Sequence, residues 1–138
     1  MKYGEFRVSD RAETIARSNG EGGPHLRKYV RVPASFEVSY TRDGANDGKP
    51  GRASDLGGGG IRLATDEDLP LGAVLLLRFR LPGLGDETVV RGRIVLSFFS
   101  AEEKRFFHGI AFTQIDPGDQ QRIITYVNGE LAKNPPPV

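Results

Sequence analysis

A short basic segment, Arg27-Lys28-Tyr29-Val30-Arg31, carries the cations best suited to hold an anion. Arginine presents a planar fork of N–H donors, which can make two hydrogen bonds to one phosphate and can also stack on a purine ring. Arg27 and Arg31 stand four positions apart with Lys28 between them. The segment therefore predicts a phosphate contact; the alternative is a solvated basic run beside a strand.

A second candidate site is the acidic residue Asp55 and the glycines that follow it, Gly57, Gly58, Gly59 and Gly60. Glycine lets a ligand approach the backbone closely and leaves N–H groups able to face it. The Asp55 carboxylate can accept hydrogen bonds from the Watson–Crick edge of a guanine. The alternative is a plain β-turn or bulge. A Walker-type phosphate loop is excluded, because no Gly-Lys-Ser/Thr follows.

The composition excludes most catalytic chemistry. The 138 residues include no cysteine and two histidines, which rules out thiolate metal sites, a Cys nucleophile and a multi-histidine metal site. We therefore expect no enzyme and no cofactor. A net charge of +1 provides no overall field for DNA, RNA or an acidic membrane. The chain shows no signal-peptide core and no membrane-length apolar run, so we expect a cytoplasmic protein without membrane insertion.

The elements that must position these residues are short strands. Eighteen glycines and nine prolines favour turns, and about six strands are predicted between Arg31 and Phe112. The first strand alternates, with Val32, Phe36 and Val38 on one parity. A helix is predicted to follow, with an apolar face formed by Ile123, Ile124, Val127 and Leu131.

Three units are expected along the chain. Residues 1–24 read as an N-terminal arm with a short helix and a Gly-rich linker, and residues 25–133 as the domain with its C-terminal helix. Residues 134–138 form a Pro-rich tail. A helix as short as the one in the arm is marginal alone.

Together the two candidate sites resemble the motifs of the PilZ family, Arg-x-x-x-Arg followed by Asp/Asn-x-Ser-x-x-Gly. Arg27 and Arg31 match the first motif, while Asp55 and Gly60 match the second, with Gly57 where the family has serine. The resemblance covers about residues 25–131 and extends to two later segments, Gly-Gly-Ile-Arg-Leu after the glycine turn and His108-Gly109-Ile110-Ala111-Phe112.

The resemblance implies a mainly β fold, a six-stranded antiparallel β-barrel with a C-terminal α-helix, that acts as a receptor for the second messenger cyclic di-GMP. By this analogy Arg27 and Arg31 grip phosphates and stack on guanine, with Lys28 beside them, and Asp55 reads a guanine edge. The glycines let the ligand lie against the barrel, from Gly57 through Gly60. The arm would become ordered over the ligand and signal to a protein partner.

The glycine at position 57 predicts weakened rather than abolished binding. A neutral hydrogen bond contributes about 0.5–1.5 kcal/mol, so its loss weakens binding about two- to tenfold. The alternative function is a degenerate PilZ-like module that binds no nucleotide and acts by protein–protein contact. Gly57 and the paired phenylalanines Phe98-Phe99 and Phe106-Phe107 favour it. In both cases we expect a monomer or weak dimer that binds neither DNA nor RNA.

Overall fold

The computed structural model describes residues 30–42 and 47–133. The strands and the helix are β1 (Arg31–Arg42), β2 (Lys49–Gly57), β3 (Gly60–Thr65), β4 (Val74–Arg80), β5 (Glu87–Ser100), β6 (Arg105–Ile115) and α1 (Pro117–Lys133). The predicted arm 1–24, the basic residues Arg27 and Lys28, and the predicted tail 134–138 lie outside the described residues.

The six strands form one closed antiparallel barrel in the order β1-β2-β3-β6-β5-β4. The barrel closes because β4 pairs back onto β1, with Leu77 opposite Tyr40. Closure pairs the edges that an open sheet would expose. The predicted fold class, a six-stranded antiparallel barrel followed by a C-terminal helix, is confirmed.

The alternation of β1 places its apolar side chains inside the barrel as predicted, with Val32, Phe36 and Val38 all buried. A bulge between Pro33 and Phe36 bends the strand without losing this pattern. Branched aliphatic side chains from the other strands fill the interior: Leu56, Ile61, Leu63, Leu75, Leu77, Ile94 and Ile110. Burial of each such side chain contributes about 1.5–3 kcal/mol, so this interior is the main source of stability.

Helix α1 packs on the barrel through part of its predicted apolar face. Ile123 and Val127 are buried in the core, Leu131 packs half-buried against it, and Ile124 is half-buried. Pro117 occupies the first helical position, where its missing N–H would have no helical partner. The helix therefore covers the barrel and also contributes two side chains to its core.

Two strands differ from their predicted extents. Local composition predicts a loop from Thr41 to Pro50 and a strand around Arg52. Strand β2 instead begins at Lys49, because cross-strand pairing with Tyr40 extends it. Strand β6 continues beyond Phe112 to Ile115, where Ile115 pairs with Val90. In both cases tertiary pairing overrides local composition.

Alternation along a strand predicts that one ring of Phe98-Phe99 points inward. This prediction is wrong, since the two residues are 44% and 52% exposed. Strand β4 begins at Val74, opposite Arg93. Beyond Ile94, whose backbone still bonds to Gly72 and Ala73, β6 is the strand partner of the described part of β5, and a bulge at Val95 interrupts the regular alternation. The end of β5 therefore projects past the barrel and leaves both rings partly uncovered.

Candidate functional site

The strand register brings the two sequence motifs together on one side of the barrel. Arg31 at the start of β1 pairs with Gly57 at the end of β2. The hairpin between β2 and β3 then places Gly57 opposite Gly60 and Asp55 opposite Arg62. Because neighbouring strands are antiparallel, residues 24 positions apart in sequence, such as Arg31 and Asp55, come into direct contact.

The Asp55 carboxylate lies between two arginines. Arg31 Nη1 donates a hydrogen bond to Asp55 Oδ1 at 3.0 Å, while Arg62 Nε lies 3.6 Å from Oδ2. The Arg31 and Asp55 side chains are about one-quarter exposed, at 26% and 23%. This position makes the ion pair reachable by a ligand, and partial exposure keeps its contribution to stability small.

Two of the predicted glycines are needed for Arg31 to lie where it does. A Cβ at Gly60 would stand 2.9 Å from Arg31 Nη2 and 2.6 Å from the Ile110 carbonyl oxygen. A Cβ at Gly57 would stand 2.9 Å from Arg31 Cγ and 2.8 Å from the Val30 carbonyl oxygen. The Arg31 side chain therefore lies along backbone from which side chains are missing.

The two middle glycines form the turn, and their carbonyl groups are bonded to other elements. Gln120 of α1 donates to the Gly58 carbonyl at 3.1 Å, and the Phe112 N–H of β6 donates to the Gly59 carbonyl at 2.9 Å. Gly58 is buried and Gly59 is exposed. Bonds from both a helix and a strand fix the position of this turn.

Arg62 belongs to the site geometrically, although our sequence analysis did not select it. Its guanidinium carbon lies 5.8 Å from the centre of the Phe98 ring, a cation–π distance. Its Nε is buried and has no hydrogen-bond partner. A tight hairpin with Gly58-Gly59 at its tip places Asp55 opposite Arg62, so counting outward from the glycines would have found this residue.

Next to Arg62, phenylalanine rings of β5 and β6 stack on one another across the two strands. The Phe98 ring stacks on the buried Phe107 ring, with 5.4 Å between centres and 13° between planes. Phe99 tilts against Phe106 with centres 4.9 Å apart. We call the exposed part of this region, Leu96, Phe98 and Phe99, the aromatic surface.

His108 has a structural environment rather than a catalytic one. It is fully buried, with Ser97 Oγ 2.9 Å from Nδ1 and Thr65 Oγ1 3.1 Å from Nε2. Nε2 also lies 3.3 Å from the Glu67 carbonyl oxygen. Burial lowers the pKa of His108 and favours its neutral form. The ring therefore fixes the segment after β3 to the barrel.

Residues 30–42 and 47–133 bring together no group of three or more His, Cys, Asp or Glu side chains suited to a metal ion. The helix within the same residues lacks the length and apolar character needed to cross a membrane.

Comparison with known proteins identifies relatives of this fold. The chain matches the inhibitor of motility MotI/DgrA from Bacillus subtilis with a TM-score of 0.72 and 19% identity, over 81% of this chain and 54% of that one. The K. pneumonia MrkH–c-di-GMP complex gives 0.65 and 16%, over 79% and 54%. The PilZ domain with c-di-GMP of YcgR from Escherichia coli gives 0.58 and 15%, over 79% and 96%.

The chain thus spans about half the length of the first two of these proteins and nearly all of the YcgR domain. No curated protein sequence matches it significantly. The family model for the PilZ domain matches residues 25–129, which include the whole barrel and most of α1. The chain therefore belongs to the PilZ domain family.

Proposed function

We propose that this protein is a non-catalytic receptor for cyclic di-GMP, and that the ligand binds at Arg31, Asp55 and the glycine turn. The observation that carries the proposal is the 3.0 Å contact between Arg31 and Asp55, which unites the two motif halves in one exposed site. Two structural relatives, MrkH and the YcgR domain, are complexes with c-di-GMP and support this ligand.

The chemistry of the ligand matches the two charged partners. Each phosphate offers anionic oxygens to the Arg31 fork, and each guanine offers N–H donors to the Asp55 carboxylate. Binding then replaces one protein ion pair by two charge-assisted contacts with ligand. Arg27 and Lys28, which precede the described residues, are proposed as the further cations of the site.

Calorimetric titration of cyclic di-GMP into the full chain tests this proposal. We expect micromolar or tighter binding that GMP and cyclic AMP do not reproduce, and that moderate salt does not abolish. Arg27→Ala and Arg31→Ala should each weaken it strongly. Arg93→Gln is the matched control, because Arg93 is also an exposed strand arginine but lies on β5. Absence of heat and of a thermal shift with folded wild-type protein would refute the receptor function.

Signalling to a protein partner is the finer part of the proposal. We propose that the segment before β1, residues 1–29, becomes ordered over bound ligand and presents a new surface. Hydrogen exchange of this segment with and without cyclic di-GMP provides the measurement. Protection that appears only with ligand, and is lost in Arg31→Ala, would support the ordering; unchanged exchange at saturating ligand would refute it.

A second candidate function is binding to another protein without nucleotide, and the aromatic surface favours it. Phe98 and Phe99 are both about half exposed, although phenylalanine side chains are usually buried. Phe98→Ser and Phe99→Ser should then lower self-association or partner capture while the barrel stays folded. Sedimentation of the wild type, expected to show a monomer or weak dimer, sets the reference. An unchanged sedimentation profile and unchanged partner capture in both variants would remove this function.

A further inference from the structure

We propose that Arg62 is a positioning residue for Asp55, which takes over this carboxylate when Arg31 turns to a phosphate of the ligand. The inference rests on the proposed function, since it assigns Arg31 to a phosphate. It adds a residue outside both motifs and a change of partner within the site.

The two carboxylate oxygens of Asp55 face different arginines at unequal distances. The 3.0 Å contact with Arg31 Nη1 is a hydrogen bond, while the 3.6 Å separation from Arg62 Nε is too long for one. Arg62 Nε is nevertheless buried and has no hydrogen-bond partner. A buried donor without a partner is costly, so a small rotation of Asp55 toward Arg62 becomes favourable once Arg31 no longer competes.

Arg62 is held in place for this role by its surroundings. It lies on β3 directly opposite Asp55, and its guanidinium group lies over the Phe98 ring. Its partner on β6 is Gly109, where an added side chain would meet Leu96. Arg31 in contrast begins β1, next to the exposed Val30. Arg62 is therefore placed to receive Asp55, and Arg31, at the open end of β1, is placed to change partner.

The change of Asp55 from Arg31 to Arg62 lowers the free-energy cost of binding the ligand. Without Arg62, a ligand that draws Arg31 away leaves the Asp55 carboxylate, only 23% exposed, with no facing cation. Arg62→Gln should therefore weaken cyclic di-GMP binding although the side chain touches no ligand. We expect affinity to fall about three- to tenfold, the effect of one charge-assisted hydrogen bond discounted for partial exposure.

A stability cycle in ligand-free protein tests the exchange independently of the receptor function. Urea unfolding is measured for wild type, Arg31→Ala, Arg62→Gln and the double variant. Each single variant should lose little, because the remaining arginine holds Asp55. The double variant should lose more stability than the two single variants together. The excess should be about two- to fivefold in the unfolding equilibrium constant. In an Asp55→Asn background the stability losses caused by the same two substitutions should be additive. Additive losses with Asp55 intact would overturn the proposal, whether or not cyclic di-GMP binds.

Titration of cyclic di-GMP then separates positioning from direct contact. Arg62→Gln should weaken binding when Asp55 is present, and have little further effect in Asp55→Asn, where no carboxylate changes partner. Arg62→Lys should partly restore affinity, and Arg93→Gln should not alter it. An equal loss in both backgrounds would mean that Arg62 contacts the ligand itself, and would overturn the positioning role. Failure of the wild type to bind cyclic di-GMP would refute the proposed function but leave the result of the stability cycle standing.

Discussion

Two polar clusters of this barrel satisfy their hydrogen-bonding groups to different degrees. Around His108, both ring nitrogens have partners within 3.1 Å, and Tyr40 donates to Glu67 at 2.6 Å. Around Asp55, Arg62 Nε and the neighbouring Ser54 Oγ are buried without hydrogen-bond partners. Both clusters connect strands of the same barrel. Strand pairing alone therefore does not explain why one cluster is fully hydrogen-bonded and the other is not.

The difference separates a cluster whose polar groups satisfy one another from a cluster in which two buried groups lack hydrogen-bond partners. The cluster at His108 fixes the segment after β3, and the pKa of Glu67 is lowered mainly by the hydrogen bond from Tyr40. The Tyr40 hydroxyl is correspondingly harder to ionise, since burial and Glu67 raise its pKa. The Asp55 cluster instead leaves Arg62 Nε incomplete, and in the proposed exchange the Asp55 carboxylate completes it when Arg31 turns to the ligand.

The largest expected effect is on the His108 cluster. His108→Ala removes a fully buried ring and its hydrogen bonds with Ser97 and Thr65, whose hydroxyls keep the Leu69 and Glu67 carbonyl oxygens as partners. We expect a loss of about 2–4 kcal/mol in the free energy of unfolding, combining a cavity with the lost hydrogen bonds. Urea unfolding measures this loss. Cyclic di-GMP affinity of the remaining folded protein should stay near that of wild type; a large loss of affinity would show that the two clusters are not separate.

Asp55→Asn should show the opposite pattern. Asparagine, which the PilZ motif also allows here, keeps one acceptor oxygen but places an N–H₂ group against a second guanine donor. We therefore expect cyclic di-GMP affinity to fall by about 0.5–1.5 kcal/mol, the effect of one hydrogen bond. Unfolding should change by less than about 1 kcal/mol, because the ion pairs of Asp55 are partly exposed. Calorimetry and urea unfolding on the same preparation provide both values. Full affinity in Asp55→Asn would remove Asp55 from the ligand contacts.

Some of the contacts in this barrel can be predicted from the sequence, and others depend on the tertiary structure. Counting residues outward from the two-residue glycine turn predicts that Asp55 pairs with Arg62. The alternation of β1 predicts that Val32 and Val38 are buried in the core. The ion pair between Arg31 and Asp55 did not follow from the motif, because a binding motif describes contacts to ligand rather than contacts within the free protein. The exposure of Phe99 depends on where β4 begins relative to β5, a register that local sequence does not encode.

The pH dependence of stability should arise at the His108 cluster. Burial lowers the pKa of His108 below its ordinary value of 6.5, although Glu67 and Asp68 partly oppose this. The unfolded chain therefore binds the proton first as pH falls, so stability is constant above about 6.5 and decreases below it toward the lowered pKa. Urea unfolding at a series of pH values, from neutral to below the lowered pKa, measures the slope of stability against pH. His108→Gln should flatten the slope, and an equally steep slope in that variant would assign the effect to other groups.

The smallest expected effect concerns Gly57, and two substitutions are needed to interpret it. A side chain here meets the Val30 carbonyl oxygen at 2.8 Å and Arg31 Cγ at 2.9 Å, so Gly57→Ala and Gly57→Ser both require Arg31 to shift. The difference between the two variants isolates the hydroxyl that the PilZ motif provides. We expect Gly57→Ser to bind cyclic di-GMP about two- to tenfold more tightly than Gly57→Ala, the effect of one neutral hydrogen bond. Equal affinities by calorimetry would mean that the hydroxyl adds nothing here, and that steric demand on Arg31 alone governs position 57.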